Sequence, residues 1–180
     1  AHGSGSWGLV QMPRRMDSLP YITGYAPALL EETARLLASG ELGPLLAVRY
    51  PSRHDVRSNR ALHDYAQDLK ARYMRTAPPL ARVLYDDRLQ VLQGALGLHT
   101  TTTRAHGSRV HKRREVRVAG LFRDVAPEFL RMIVVHELAH MKHAEHSRDF
   151  YRLCEHMEPD YHQLEFDLRL LLTVREHERR

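Results

Sequence analysis

Residues 127–140 read Pro127-Glu128-Phe129-Leu130-Arg131-Met132-Ile133-Val134-Val135-His136-Glu137-Leu138-Ala139-His140, with the periodicity of a helix. Pro127 stands where a first-turn proline belongs, since its missing N–H costs nothing there. Leu130, Val134, Leu138 and Met141 make one apolar stripe, and Phe129, Met132 and Ile133 line the side that carries the histidines. A helix advances about 100° and 1.5 Å per residue, so His136 and His140 stand about one turn apart on one face. Two imidazoles placed in this way can hold one metal ion. Glu137, about 100° round from His136, would stand beside such an ion rather than on it, where a carboxylate can take a proton from a water the ion holds. On a helix this apolar, three polar side chains are costly unless something satisfies them. A metal ion would do so; a bare buried histidine pair is the alternative reading.

A catalytic zinc usually has three protein ligands and an open position, which sends the search for a third donor outside these residues. The helix can continue through Met141, Lys142, His143 and Ala144, and Ser147 then reads as the N-cap of a new helix beginning at Arg148. His146 falls in the corner between the two helices and is the preferred third ligand. His143 competes for the role, but it lies about 10 Å along the axis from His136. Glu155 and Glu158 are remoter options, in the manner of two-His-one-Glu sites. The site predicted is therefore Zn²⁺ on His136, His140 and His146, with Glu137 as the general base of a hydrolase.

Upstream of this helix the chain changes character twice. Leu29, Leu30, Thr33, Leu36 and Leu37 recur at helical spacing and Ser39-Gly40 ends that helix. A second helix through Leu42, Leu45, Leu46 and Val48 stops at Tyr50-Pro51. Ser58 can cap a third, whose stripe is Leu62, Tyr65, Ala66, Leu69 and Tyr73 and which Pro78-Pro79 closes. From Leu80 short β-like runs follow: Arg82–Tyr85, Leu89–Leu92, Thr100–Thr103 and Glu115–Val118, with Asp86-Asp87 and His106-Gly107-Ser108 as turn material. A small, mostly antiparallel sheet is predicted, with Glu115–Val118 as its edge. Downstream, Ser147 to Met157 reads as a helix ended by Glu158-Pro159. Asp160 with Gln163 resembles a capping box for a last helix carrying Leu164, Leu168, Leu171 and Leu172. Tyr161 and His162, at its start, are candidates for donating to a developing oxyanion, with packing or solvent exposure as the alternative. The fold class is α+β.

The chain has 180 residues, 43% of them hydrophobic and 27% charged, which fits one soluble globular domain. Residues 17–180 are expected to form it. Residues 1–16, which open Ala1-His2-Gly3-Ser4-Gly5-Ser6, read as a leader, disordered or left by cloning. Net charge +5 favours anionic partners without identifying one. Cys154 stands alone, so no internal disulfide forms, and a reducing, cytoplasmic setting is expected. No apolar run approaches the roughly 20 residues that span a bilayer. The most basic stretch holds Arg104, Arg109, Lys112, Arg113, Arg114 and Arg117 with His106 and His111. It is either a phosphate contact near the site or a solvated hairpin tip.

The run Ile133 to His140, then His146-Ser147, Phe150 and Met157-Glu158-Pro159-Asp160-Tyr161, resembles the YgjP-like family of metal-dependent hydrolases, related to the WLM and SprT-type zincins. Upstream, Tyr21, Val83-Leu84-Tyr85-Asp86, Leu96 to Thr100 and Arg117-Val118-Ala119 carry the resemblance further. It implies a minimal zincin fold, with three histidine ligands mapping onto His136, His140 and His146 and the base onto Glu137. It also implies two substrate classes: peptides, on the strength of the motif, and nucleoside triphosphates such as UTP, from which such proteins release pyrophosphate.

Three functions follow, in this order. In the first, a zinc hydrolase attacks a peptide carbonyl. In the second, the same site attacks a phosphoanhydride, with Arg104, Arg109 or Arg113 meeting the phosphates. In the third, a zinc-stabilised module without catalysis binds nucleic acid through the basic stretch, a reading that gains nothing from interleaved aromatics.

Overall fold

A computed structural model describes residues 19–89 and 115–180. Among these residues the chain forms, in order, helices α1 (Pro27–Ala38), α2 (Leu42–Arg49) and α3 (Asn59–Tyr73), then strands β1 (Arg82–Asp86) and β2 (Glu115–Ala119). A 3-10 turn, Gly120–Asp124, leads into α4 (Pro127–Ala139), and α5 (Arg148–Met157) and α6 (Tyr161–Glu178) complete the chain. The fold is α+β and mostly helical, as the order of helical and β-like runs implies.

The helix boundaries follow from local chemistry. Pro27 and Pro127 open α1 and α4. Ser58 accepts the Ala61 N–H at 3.1 Å and Ser147 that of Phe150 at 3.2 Å, so both serines cap as their positions suggest. Gly40 follows α1 with φ of 75°, a conformation that disfavours side chains bearing a Cβ.

The sheet departs from the expected pairing. β1 and β2 run parallel, in register from Arg82 opposite Glu115 to Asp86 opposite Ala119. Asp86-Asp87 is a turn, but it does not fold β1 back on itself as a hairpin would. Its bonds are local, Leu89 N–H to Asp86 O at 3.2 Å and Arg88 N–H to the Asp86 carboxylate at 3.0 Å. Parallel pairing then needs a connection that brings the chain back to the starting end of β1. The runs at 90–92 and 100–103 lie outside the described residues, as do Arg104, Arg109, Lys112, Arg113 and Arg114. On its other edge β1 is covered by α3, where the Asn59 carboxamide oxygen accepts the Tyr85 N–H at 2.9 Å.

Two further expectations give way. α4 stops at Ala139 instead of running on to Ala144, because Met141 and Lys142 bond three residues back, to Leu138 and Ala139, and tighten the last turn. The Asp160–Gln163 capping box does not form. Asp160 sits at φ −92° and ψ 14°, away from the extended conformation of a capping residue, while Gln163 donates to Asp167 at 2.9 Å. Glu158 accepts the Asp160 N–H instead.

One large core surrounds α4, on which every residue from Met132 to Ala139 is buried. A smaller core, of Leu19, Ile22, Leu42, Leu46 and Leu170, joins the N-terminal segment and α2 to α6. No described helix is long and apolar enough to cross a membrane.

Candidate metal centre

α4 presents His136 from its last turn and His140 from its C-terminal cap, and the connection to α5 turns His146 back towards both. The three Nε2 atoms form a near-equilateral triangle, with sides of 3.1, 3.2 and 3.3 Å. Nitrogens at the usual 2.0–2.1 Å from a tetrahedral zinc stand about 3.3 Å apart, so the triangle fits such an ion without rearrangement.

The tautomers support the same fit. His140 Nδ1 lies 2.9 Å from the His143 carbonyl oxygen, which can only accept, so this nitrogen donates and carries the ring proton. The Nε2 lone pair of neutral His140 then points into the triangle. Donors turned inward in this way repel one another unless a cation lies among them. The histidine set is one that could hold a metal ion, and it carries the imidazole nitrogens that suit zinc.

His143 thus serves the site with its backbone, and its ring is not part of the cluster. Glu158 receives Arg131 at 2.6 Å, and Glu155 pairs with His162 at 2.6 Å on the protein surface. Glu137 is buried beside His136, 7% exposed, on the turn that carries two of the three histidines.

Two buried residues support the histidines without belonging to the triangle. Phe150, fully buried, packs its ring against His136, His140 and His146 at centroid distances of 5.0, 4.6 and 4.9 Å. An apolar floor of this kind limits solvent and fixes ring orientation. The signal was the buried face of α5, Phe150, Cys154 and Met157, which marks a helix packed towards the site. Tyr161 is also fully buried, and its hydroxyl meets His136 Nδ1 at 2.6 Å, on the opposite side of the ring from the triangle. It therefore supports a histidine from behind. Burial, and then the Glu165 carboxylate, push the Tyr161 hydroxyl pKa far upward. His162 faces solvent.

Arg117 of the basic stretch lies in β2 and is held by Asp86 and Glu115, each at 2.6 Å. Its charge is spent within the fold.

A family model described as the YgjP-like metallopeptidase domain matches residues 47–170, the span from the end of α2 through most of α6. The chain is 51% identical to a UTP pyrophosphatase of Escherichia coli over 158 residues, which cover 88% of this chain and 95% of that relative. No solved structure matches it. A histidine triad from α4 and its connection to α5, set within a matched span that covers most of the chain, places this protein in the YgjP-like family.

Proposed function

We propose that the protein is a zinc-dependent hydrolase of nucleoside triphosphates that releases pyrophosphate, with His136, His140 and His146 as metal ligands and Glu137 as general base. The observation that carries the substrate class is the identity with a relative named UTP pyrophosphatase, which extends over nearly all of that relative. It reverses the order in which the sequence alone ranks peptide and phosphoanhydride. The histidine triangle supports the hydrolytic chemistry.

When bound, a divalent ion at the triangle supplies Lewis acidity, which polarises the electrophile and brings the acidity of water near neutral pH. The other roles belong to the chain. Glu137 takes the proton of the attacking water as its oxygen bonds to the α-phosphorus; the α–β phosphoanhydride bond breaks, and pyrophosphate and nucleoside monophosphate part. Phe150 walls the rings from beneath and keeps bulk water from that side.

Peptide hydrolysis is the second reading, favoured by the description of the matching domain as a metallopeptidase. Pyrophosphate release from a panel of nucleoside triphosphates separates the two. The wild type is expected to release it. Glu137→Gln is expected to lose about 100-fold or more of that rate, the usual contribution of a positioned base, while retaining its metal. Equal rates in the two proteins would refute the role of Glu137. A metal-loaded wild type that leaves every nucleotide intact and cleaves a peptide would move the conclusion to the second reading.

A further inference from the structure

Tyr161, Glu165 and Arg169 stand four residues apart on α6 and share one face, yet their neighbours Leu164, Leu168 and Leu172 belong to the core. All three are buried, Glu165 and Arg169 at 8% exposure each. A buried ion pair is weak evidence of stabilisation, since removing two charges from water costs several kcal/mol per ion. The direction in which these side chains bond gives them another use. Arg169 Nη1 donates to the Tyr21 carbonyl at 2.9 Å and Nη2 to Glu165 Oε1 at 3.2 Å. The Tyr161 hydroxyl meets His136 Nδ1 at 2.6 Å, one helix turn from the Glu165 carboxylate.

Proton bookkeeping then fixes the order. Neutral His136 directs its Nε2 lone pair into the triangle, so its ring proton sits on Nδ1, which faces the Tyr161 hydroxyl. The tyrosine oxygen is left to accept, and His136 Nδ1 must donate.

We propose that Tyr161 and Glu165 are positioning residues for the metal centre. The Tyr161 hydroxyl holds His136 as its Nδ1–H tautomer, with Nε2 turned to the ion, and Glu165, fixed by Arg169 one turn along α6, sets the negative field beside that hydroxyl. It does for His136 what the His143 carbonyl does for His140. A hydroxyl is interposed where metal-bound histidines more often meet a carboxylate or carbonyl directly. This inference rests on the metal reading of the triangle.

The test uses cobalt(II), whose visible absorption reports ligand geometry, titrated into the metal-free full chain. Tyr161→Phe keeps the ring and removes the acceptor; Glu165→Gln keeps the shape and removes the charge. Both are expected to bind cobalt about 10–100-fold more weakly than wild type, with a shifted absorption band. Wild-type affinity and an unshifted band in Tyr161→Phe, even in a protein of lower heat stability, would overturn the proposal and leave the triangle standing. A wild type that binds no cobalt would remove the metal reading and this inference together. Should Glu165→Gln fail to fold, Tyr161→Phe alone decides.

Discussion

Asp86 ends β1 with its carboxylate turned towards two guanidiniums. Arg88 bonds it through its side chain and its backbone N–H, and Arg117 reaches it from β2 at 2.6 Å. Arg88 first, then Arg117, holds the Asp86 carboxyl well below the usual carboxylate range. A carboxyl whose pKa is depressed on folding adds stability that is fully present above its unfolded pKa, near 3.9, and is lost as pH falls towards the folded value. Asp86 itself is 7% exposed, but Arg88 is largely in solvent, so screening limits the effect. Asp86→Asn should cost about 1 kcal/mol at neutral pH, and the gap from wild type should narrow below about pH 4. Urea unfolding across that range checks it; a gap that stays constant would contradict the assignment. The same scale shows what spacing can and cannot disclose. His136, Glu137 and His140 were legible because one helix turn sets their relation, and His146 because Ser147 announces the corner. The bond from Tyr161 to His136 spans 25 residues and depends on how two helices meet, which no local pattern records.

At the scale of elements, α5 is the support on which the triangle rests. Ser147 starts it, and Phe150 in its first turn carries all three rings. Phe150→Ala should destabilise the metal-free protein by about 3–5 kcal/mol, since the lost ring leaves a cavity in a close-packed core. Phe150→Leu, which keeps most of the volume, should cost about 1 kcal/mol. Denaturant unfolding of the two variants separates these outcomes, and a neutral Phe150→Ala would show that the ring does not carry the load assigned to it. The elements that sequence placed best were those with a chemical start or stop signal: Ser39-Gly40, Tyr50-Pro51, Ser58, Pro127 and Ser147. Strand direction had none. A turn at Asp86-Asp87 is compatible with a hairpin and with the start of a crossover, and only long-range pairing chooses the second. The Asp160 cap failed for a related reason: Glu158 competes for the same backbone N–H, and residue type alone does not rank the two.

Across the whole molecule, α6 ties the two cores together and reaches the back of the metal centre through Tyr161. The α+β class was legible from the order of helical and β-like runs, because each run carries its own period. Packing of α6 against both cores was not, since its apolar residues mark a buried face without naming what covers it. This architecture links the metal to folding, because the three histidines come from α4 and its connection to α5 and are brought together only in the folded chain. An ion present at about 100 times its dissociation constant should stabilise the fold by about 2.7 kcal/mol. Chelation should therefore lower the melting temperature by roughly 5–10 °C for a chain of this size. The central claim, that His136, His140 and His146 hold one ion, is tested most directly by metal content per chain, measured on wild type and His140→Ala purified side by side. One zinc per wild-type chain and none retained by the variant is the expected result. A wild type without bound metal, or a variant that keeps a full complement, would contradict it.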